Sequence, residues 1–154
     1  MPTSAPGGGV ENVGISRAVT ELLLGSGVLV PALRSDGSTG GAQWYIRLFP
    51  VWPSNISVSY SGLVAKGGAV VSASYDSMNQ TVLSPVFISS SNTNSDPTNI
   101  TLRSPWPTEP STNIYVLCNS TTVPVVWFNV FEGGIAVPAL SFIVPPNAVC
   151  EVVR

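Results

Sequence analysis

The sequence predicts an all-β protein: an antiparallel two-sheet β-sandwich or jelly roll of about nine to eleven short strands. Three observations lead there. Apolar runs rich in Val, Ile, Thr and aromatic residues recur along the chain, and each is closed by Gly, Pro, Asn or Ser. These turn signals come at intervals of roughly ten residues, the rhythm of a sandwich rather than of an α/β fold. The runs themselves are only about six to nine residues long, too short for a membrane span or a long amphipathic helix.

The clearest block is the C-terminal stretch from Thr112 to Arg154. It holds the runs 113–118, 123–131, 139–144 and 148–153, separated by a polar turn, Glu132-Gly133-Gly134 and Pro145-Pro146-Asn147. Earlier in the chain, residues 42–49 alternate. Ala42, Trp44, Ile46 and Leu48 are expected to enter the core, while Gln43, Tyr45, Arg47 and Phe49 face the other side. Pro50 ends that strand because proline has no N–H for the ladder. Ile56 to Tyr60 alternates apolar with serine, and a Lys66-Gly67-Gly68 turn leads into the strand 69–75. Val82-Leu83 and Val86-Phe87-Ile88 flank Pro85, which suggests an edge strand or a bulge. Asn99 to Leu102 is a further short strand.

Two segments read differently. Residues 1–9 are small and Pro/Gly-rich, a flexible arm ahead of a single β-sandwich domain over 10–154. Residues 17–24 fit either a short helix capped by Ser16 or one arm of a hairpin closing across Gly25-Ser26-Gly27 onto Val28-Leu29-Val30. The strand-like character from Val28 onward favours the hairpin.

With 154 residues the chain is long enough to bury a core without staples. Charged residues make up only 9%, and the net charge is −2. So little charge gives weak colloidal repulsion, which points to surfaces covered by copies of the chain or by neighbours; a Ser/Thr-rich secreted β-domain is the alternative. One lysine and five arginines are scattered singly, so no basic stripe exists to grip phosphates, and nucleic-acid binding is not expected. No run approaches a membrane span. Met1 to Gly9 lacks a basic n-region and an apolar h-region, so no secretory leader is expected. That leaves a cytosolic chain, one cut from a larger precursor, or a fragment with an added Met. Cys118 and Cys150 both fall in predicted strands, where a cross-strand bridge forms if they are neighbours. Without a secretion signal the reading favours reduced, buried thiols.

The screen for catalytic chemistry is mostly negative. The chain has no histidine, which removes Ser-His-Asp and Cys-His arrangements and the commonest metal ligand. The glycine pairs lack the spacing of a phosphate loop or dinucleotide fingerprint. Of eight carboxylates, Asp36, Asp76, Asp96, Glu109 and Glu132 fall in predicted turns, where Asp serves local backbone hydrogen bonds. A carboxylate pair for glycoside hydrolysis is therefore disfavoured, and Asp36 and Asp96 lack the ligand spacing of a calcium loop. The expectation is no enzyme activity, no cofactor and no metal. Four N-x-[S/T] sequons, at Asn55, Asn79, Asn99 and Asn119, stand close to the roughly two or three that this Ser/Thr content produces by chance.

The binding candidates are aromatic. Trp52 and Trp106 each sit beside prolines in predicted loops, where a core role is less automatic than for Trp44 or Trp127. Exposed, such a ring stacks on a sugar face or anchors a protein interface; otherwise the Pro-Trp-Pro segments pack as lids across a sandwich end.

Residues 139–153, with their apolar strand, Val144-Pro145-Pro146-Asn147-Ala148 turn and short final strand, resemble the closing hairpin of β-sandwich modules at phage tail-fibre tips. Asn147 stands where glycine is usual, which its tolerance of the left-handed region permits. The strand from Ser84 to Ser89 is similar in character. The wider profile of short strands, Pro-rich connections, low charge and an N-terminal arm resembles the protruding domains and jelly rolls of icosahedral capsids. Both resemblances imply a non-enzymatic virion surface component: a homo-oligomer, most plausibly a trimer, contacting other virion proteins and presenting loops to a host receptor or glycan. The alternative is an extracellular carbohydrate-binding or adhesive module using Trp52 or Trp106.

Overall fold

A computed structural model describes residues 17–29, 43–91 and 97–154. The predicted arm, the Ser16 cap, Val30, the whole loop 34–41 with Asp36, Ala42 and Asp96 fall outside them.

The chain builds two sheets that share one core. The five-stranded sheet has the order β1 (Leu24–Leu29), β2 (Gln43–Leu48), β7 (Thr98–Arg103), β11 (Ile135–Val144), β10 (Val126–Glu132). The seven-stranded sheet runs β3 (Val58–Val64), β4 (Ala69–Asp76), β6 (Val86–Ser90), β12 (Val149–Val153), β8 (Tyr115–Cys118), β9 (Thr121–Val123), with β5 (Thr81–Val82) on β4. All pairings are antiparallel except β2 with β7, where Trp44, Ile46 and their neighbours run parallel to Ile100 and Leu102. The predicted all-β two-sheet architecture is what the chain adopts, with twelve strands among the described residues in place of about nine to eleven.

Alternation explains why these strands lie where they do. In β4, Ala69, Val71 and Ala73 are buried while the residues between them are half-exposed. In β12, Cys150 and Val152 point inward, and in β6, Val86 and Ile88. From the facing sheet come Ile46, Ile100, Leu102, Leu140, Phe142 and Val144, and all of these join one cluster. The period of two is the pleat itself, so a slip of one residue would turn each set toward water.

Three local expectations are corrected. Residues 17–23 are helical, and 24–29 continue as a single strand rather than folding across Gly25-Ser26-Gly27. Arg17 Nε pairs with Glu21 Oε1 one turn on at 3.2 Å, a spacing only a helix supplies. Gly25 serves close approach instead of a turn: a Cβ there would sit 3.1 Å from the Pro50 ring. At Pro85 the bulge reading holds and the edge does not: β6 lies between β4 and β12, and the register against β4 shifts by two residues between the Tyr75–Val82 and Ser72–Phe87 pairs. The run 123–131 is two strands, since β9 ends at Val123 and β10 starts at Val126, with Pro124 between them unable to donate.

The third correction concerns the cysteines. Cys118 and Cys150 form a disulfide. They are directly opposed in the β8–β12 register, with Cα atoms 4.0 Å apart, on the inner face of the sheet. The turn chemistry, by contrast, is as read: Asn147 takes φ +57 between β11 and β12, and Gly133 and Gly134 take φ +56 and +86 in the β10–β11 hairpin.

The bridge closes a separation of 32 residues. Reduction, or paired Cys118→Ser and Cys150→Ser substitution, is expected to lower stability by about 2–4 kcal/mol, read from urea midpoints with and without reductant.

Candidate functional site

The two tryptophan-bearing loops meet at one end of the sandwich. The first begins where β2 ends. Phe49 turns the chain with φ +49, and its N–H donates to the Leu23 carbonyl at 2.8 Å. Its ring lies 5.3 Å from that of Tyr60 and 5.7 Å from that of Tyr75, both tilted, so the turn is wedged against β3 and β4. Trp52 follows, half-buried, with its indole N–H donating to the Ile56 carbonyl at 2.7 Å. The loop is tied to β4 by Tyr75 Oη donating to the Ser54 carbonyl at 3.4 Å and to the β4–β5 turn by the Ser57–Ser77 hydroxyl pair at 2.8 Å. In that turn, Asp76 accepts from the Met78 N–H at 3.0 Å and from Asn79 Nδ2 at 2.6 Å, the local role its position predicts.

The second loop leaves β7 at Arg103. Trp106 is not exposed: at 2% accessibility it belongs to the core. Its indole N–H donates to the Val82 carbonyl at 2.7 Å, and the Arg154 guanidinium lies 5.2 Å from its ring centroid. Arg154 is itself held by Glu109 at 3.7 Å and by Ser84 Oγ, which accepts from its N–H at 3.3 Å. The second loop therefore closes the sandwich end as a lid.

Between the loops lies an open cleft of about 200 Å³. Leu48, Phe49 and Pro50 form one wall; Arg103, Ser104, Pro105 and Pro107 form the other. That volume is below the roughly 300–1,000 Å³ that encloses a small molecule. Its one cation, Arg103, points to Glu132 Oε2 at 3.0 Å. The end suits contact with another macromolecule's surface better than enclosure of a ligand. Around it Val51, Ile56, Met78 and Leu83 are exposed.

A second cluster covers the outer face of the five-stranded sheet. Tyr45, Val130 and Ala139 are buried there with Phe128 against them. The Tyr45 hydroxyl donates to Glu132 Oε1 at 2.6 Å, across 87 residues. In a flat sheet Glu132 stands far from Tyr45, because it pairs with Ile135, beyond the last β11 residue that β7 contacts. The far end of the β10–β11 hairpin therefore curls back over the face. Sequence reasoning placed Tyr45 on this side, but alternation alone carries no signal for the partner that buries it.

Trp44 is the inverse of Trp106. It is 37% exposed, and its ring lies flat on Gly67, where a Cβ would overlap it. Among the described residues no group of three His, Cys, Asp or Glu side chains is placed to hold a metal. Among the same residues no helix is long and apolar enough to cross a membrane. Compared with family models, curated proteins and solved structures, the chain matches none.

Burial and the Glu132 carboxylate raise the Tyr45 pKa above its ordinary 10.0, and burial alone raises that of Tyr60. Both phenols hold their protons more tightly folded than unfolded. Their contribution is complete below pH 10 and is lost as pH rises beyond it, so the urea midpoint should fall between pH 9 and 11. The Tyr60 hydroxyl is buried without a hydrogen-bond partner. Tyr60→Phe should therefore be neutral or stabilising by about 1 kcal/mol in the same assay. Trp106→Ala should cost about 3–5 kcal/mol.

Proposed function

We propose that this protein is a non-enzymatic structural component of a virus particle, a capsid protein, protruding spike or fibre tip. It self-assembles as a homotrimer and presents the Trp52 end of the sandwich for host attachment. The supporting observation is where exposed apolar side chains concentrate on a chain with so few charges. Along β10 and β11, Val126, Phe131, Ile135 and Ile143 are all exposed, with Phe131 at 75% and Ile135 at 70%. Apolar surface of this kind is what self-association covers. At the sandwich end, Val51, Ile56 and Met78 ride on loops pinned to a rigid two-sheet base, an arrangement suited to recognition.

Trp52 is the candidate with ring surface left for a host glycan or receptor, its orientation set by the Ile56 carbonyl. Light scattering coupled to size exclusion tests the assembly. The expected mass is three times that of the chain, and Phe131→Ser with Ile135→Ser should return it to a monomer. A parent protein that stays monomeric at high concentration overturns the reading.

A further inference from the structure

By number the four sequons carry no weight, but their placement does. We propose that Asn55, Asn79 and Asn119 are N-glycosylated and that Asn99 is not, a reading independent of the virion assignment. Asn55 is exposed in the turn before β3, and Asn79 is exposed in the β4–β5 turn. Asn119 is exposed at the first position of the two-residue β8–β9 turn, with φ +48. Its Oδ1 accepts from the Val149 N–H at 3.4 Å. N-glycosylation replaces one proton on Nδ2 and spares Oδ1, so this contact survives it. At Asn79, Nδ2 keeps its second proton for Asp76.

Asn99 differs. Its side chain is exposed as well, but its backbone lies within β7, paired on one side by β2 and on the other by β11, where the other three sit in turns. The hydroxyl-bearing residue of its sequon, Thr101, is fully enclosed, and that, with the paired strand, sets it apart; the Ser141 Oγ donation to its Oδ1 at 3.0 Å does not by itself bar the reaction.

A separate observation points to the same compartment. Cys118, the residue before Asn119, is bridged to Cys150. Stable disulfides belong to oxidising environments, where N-glycans are also added. The reaction requires an oligosaccharide linked to a lipid diphosphate. Its anomeric C–O bond breaks, the C–Nδ2 bond forms, Nδ2 loses one proton, and the lipid diphosphate leaves.

The test expresses the full chain behind a cleavable leader in secreting eukaryotic cells and collects both the medium and the cell membranes. Peptide N-glycosidase in heavy-oxygen water converts each glycosylated Asn to labelled Asp, read by peptide mass mapping. Label is expected at Asn55, Asn79 and Asn119 and not at Asn99. Asn119→Gln disturbs a left-handed turn, so Thr121→Ala serves as the second variant, abolishing label at Asn119 alone with the bridge intact. An unlabelled Asn119 in bridged protein from either fraction overturns the proposal, as does labelling of Asn99 equal to that of Asn119.

Discussion

The corner between Val144 and Val149 is the constraint on which the rest of the molecule depends. β11 lies between β7 and β10 in one sheet, and β12 lies between β6 and β8 in the other. The two strands are consecutive, so the chain passes from the interior of one layer to the interior of the other within a few residues. Pro145 and Pro146 donate nothing to a ladder, which stops β11. Asn147 takes the left-handed conformation, and the Ala148 N–H returns to the Pro145 carbonyl at 3.2 Å, with Ala148 buried beneath. Leu140, Phe142 and Val144 on one side of the corner and Cys150 and Val152 on the other then face one another across the core. A slip of one residue at the corner would turn one set outward, and the neighbouring strands register on these two. The Cys118–Cys150 bridge holds β8 to β12 beside this corner.

The same geometry shapes both ends and both faces. With the core filled from the middle strands, the Trp106 loop has an apolar end to cover and spends its indole on that. The Trp52 loop lies over the aromatic wedge of Phe49, Tyr60 and Tyr75, and keeps surface to offer. The five-stranded sheet, with no third layer among the described residues, folds its own β10–β11 hairpin back over Tyr45.

Much of the architecture was legible because strand alternation and turn chemistry are local. The alternation that turns Ile46 and Leu48 to the core, the Lys66-Gly67-Gly68 turn, Gly133-Gly134 and the left-handed Asn147 each depend on a few adjacent residues, though the same alternation also expected Trp44 inside. What escaped depends on contacts distant in sequence. Gly25 looks like a turn residue until Pro50 comes to lie against it. Cys118 and Cys150 read as separate thiols until register sets them opposite. The tryptophans show the limit most plainly. Trp44, on a strand, reaches the rim and rests on Gly67, while Trp106, between prolines, is swallowed by the core. For a ring that large, flanking residues report the backbone's freedom but not which apolar gap lies within reach.

The outer edge of the five-stranded sheet links composition to assembly. Edge strands commonly protect themselves with charges, prolines or bulges. β10 carries a single charge, Glu132 at its end, and that carboxylate is drawn inward by Tyr45 and Arg103. Pro124 precedes the strand and leaves its seven residues free of any breaker. A chain that uses its one local carboxylate to pin a hairpin, rather than to repel a neighbour, leaves apolar surface and strand edge available together. Among the described residues nothing covers that edge, and the oligomer proposed above would be the simplest means of covering it.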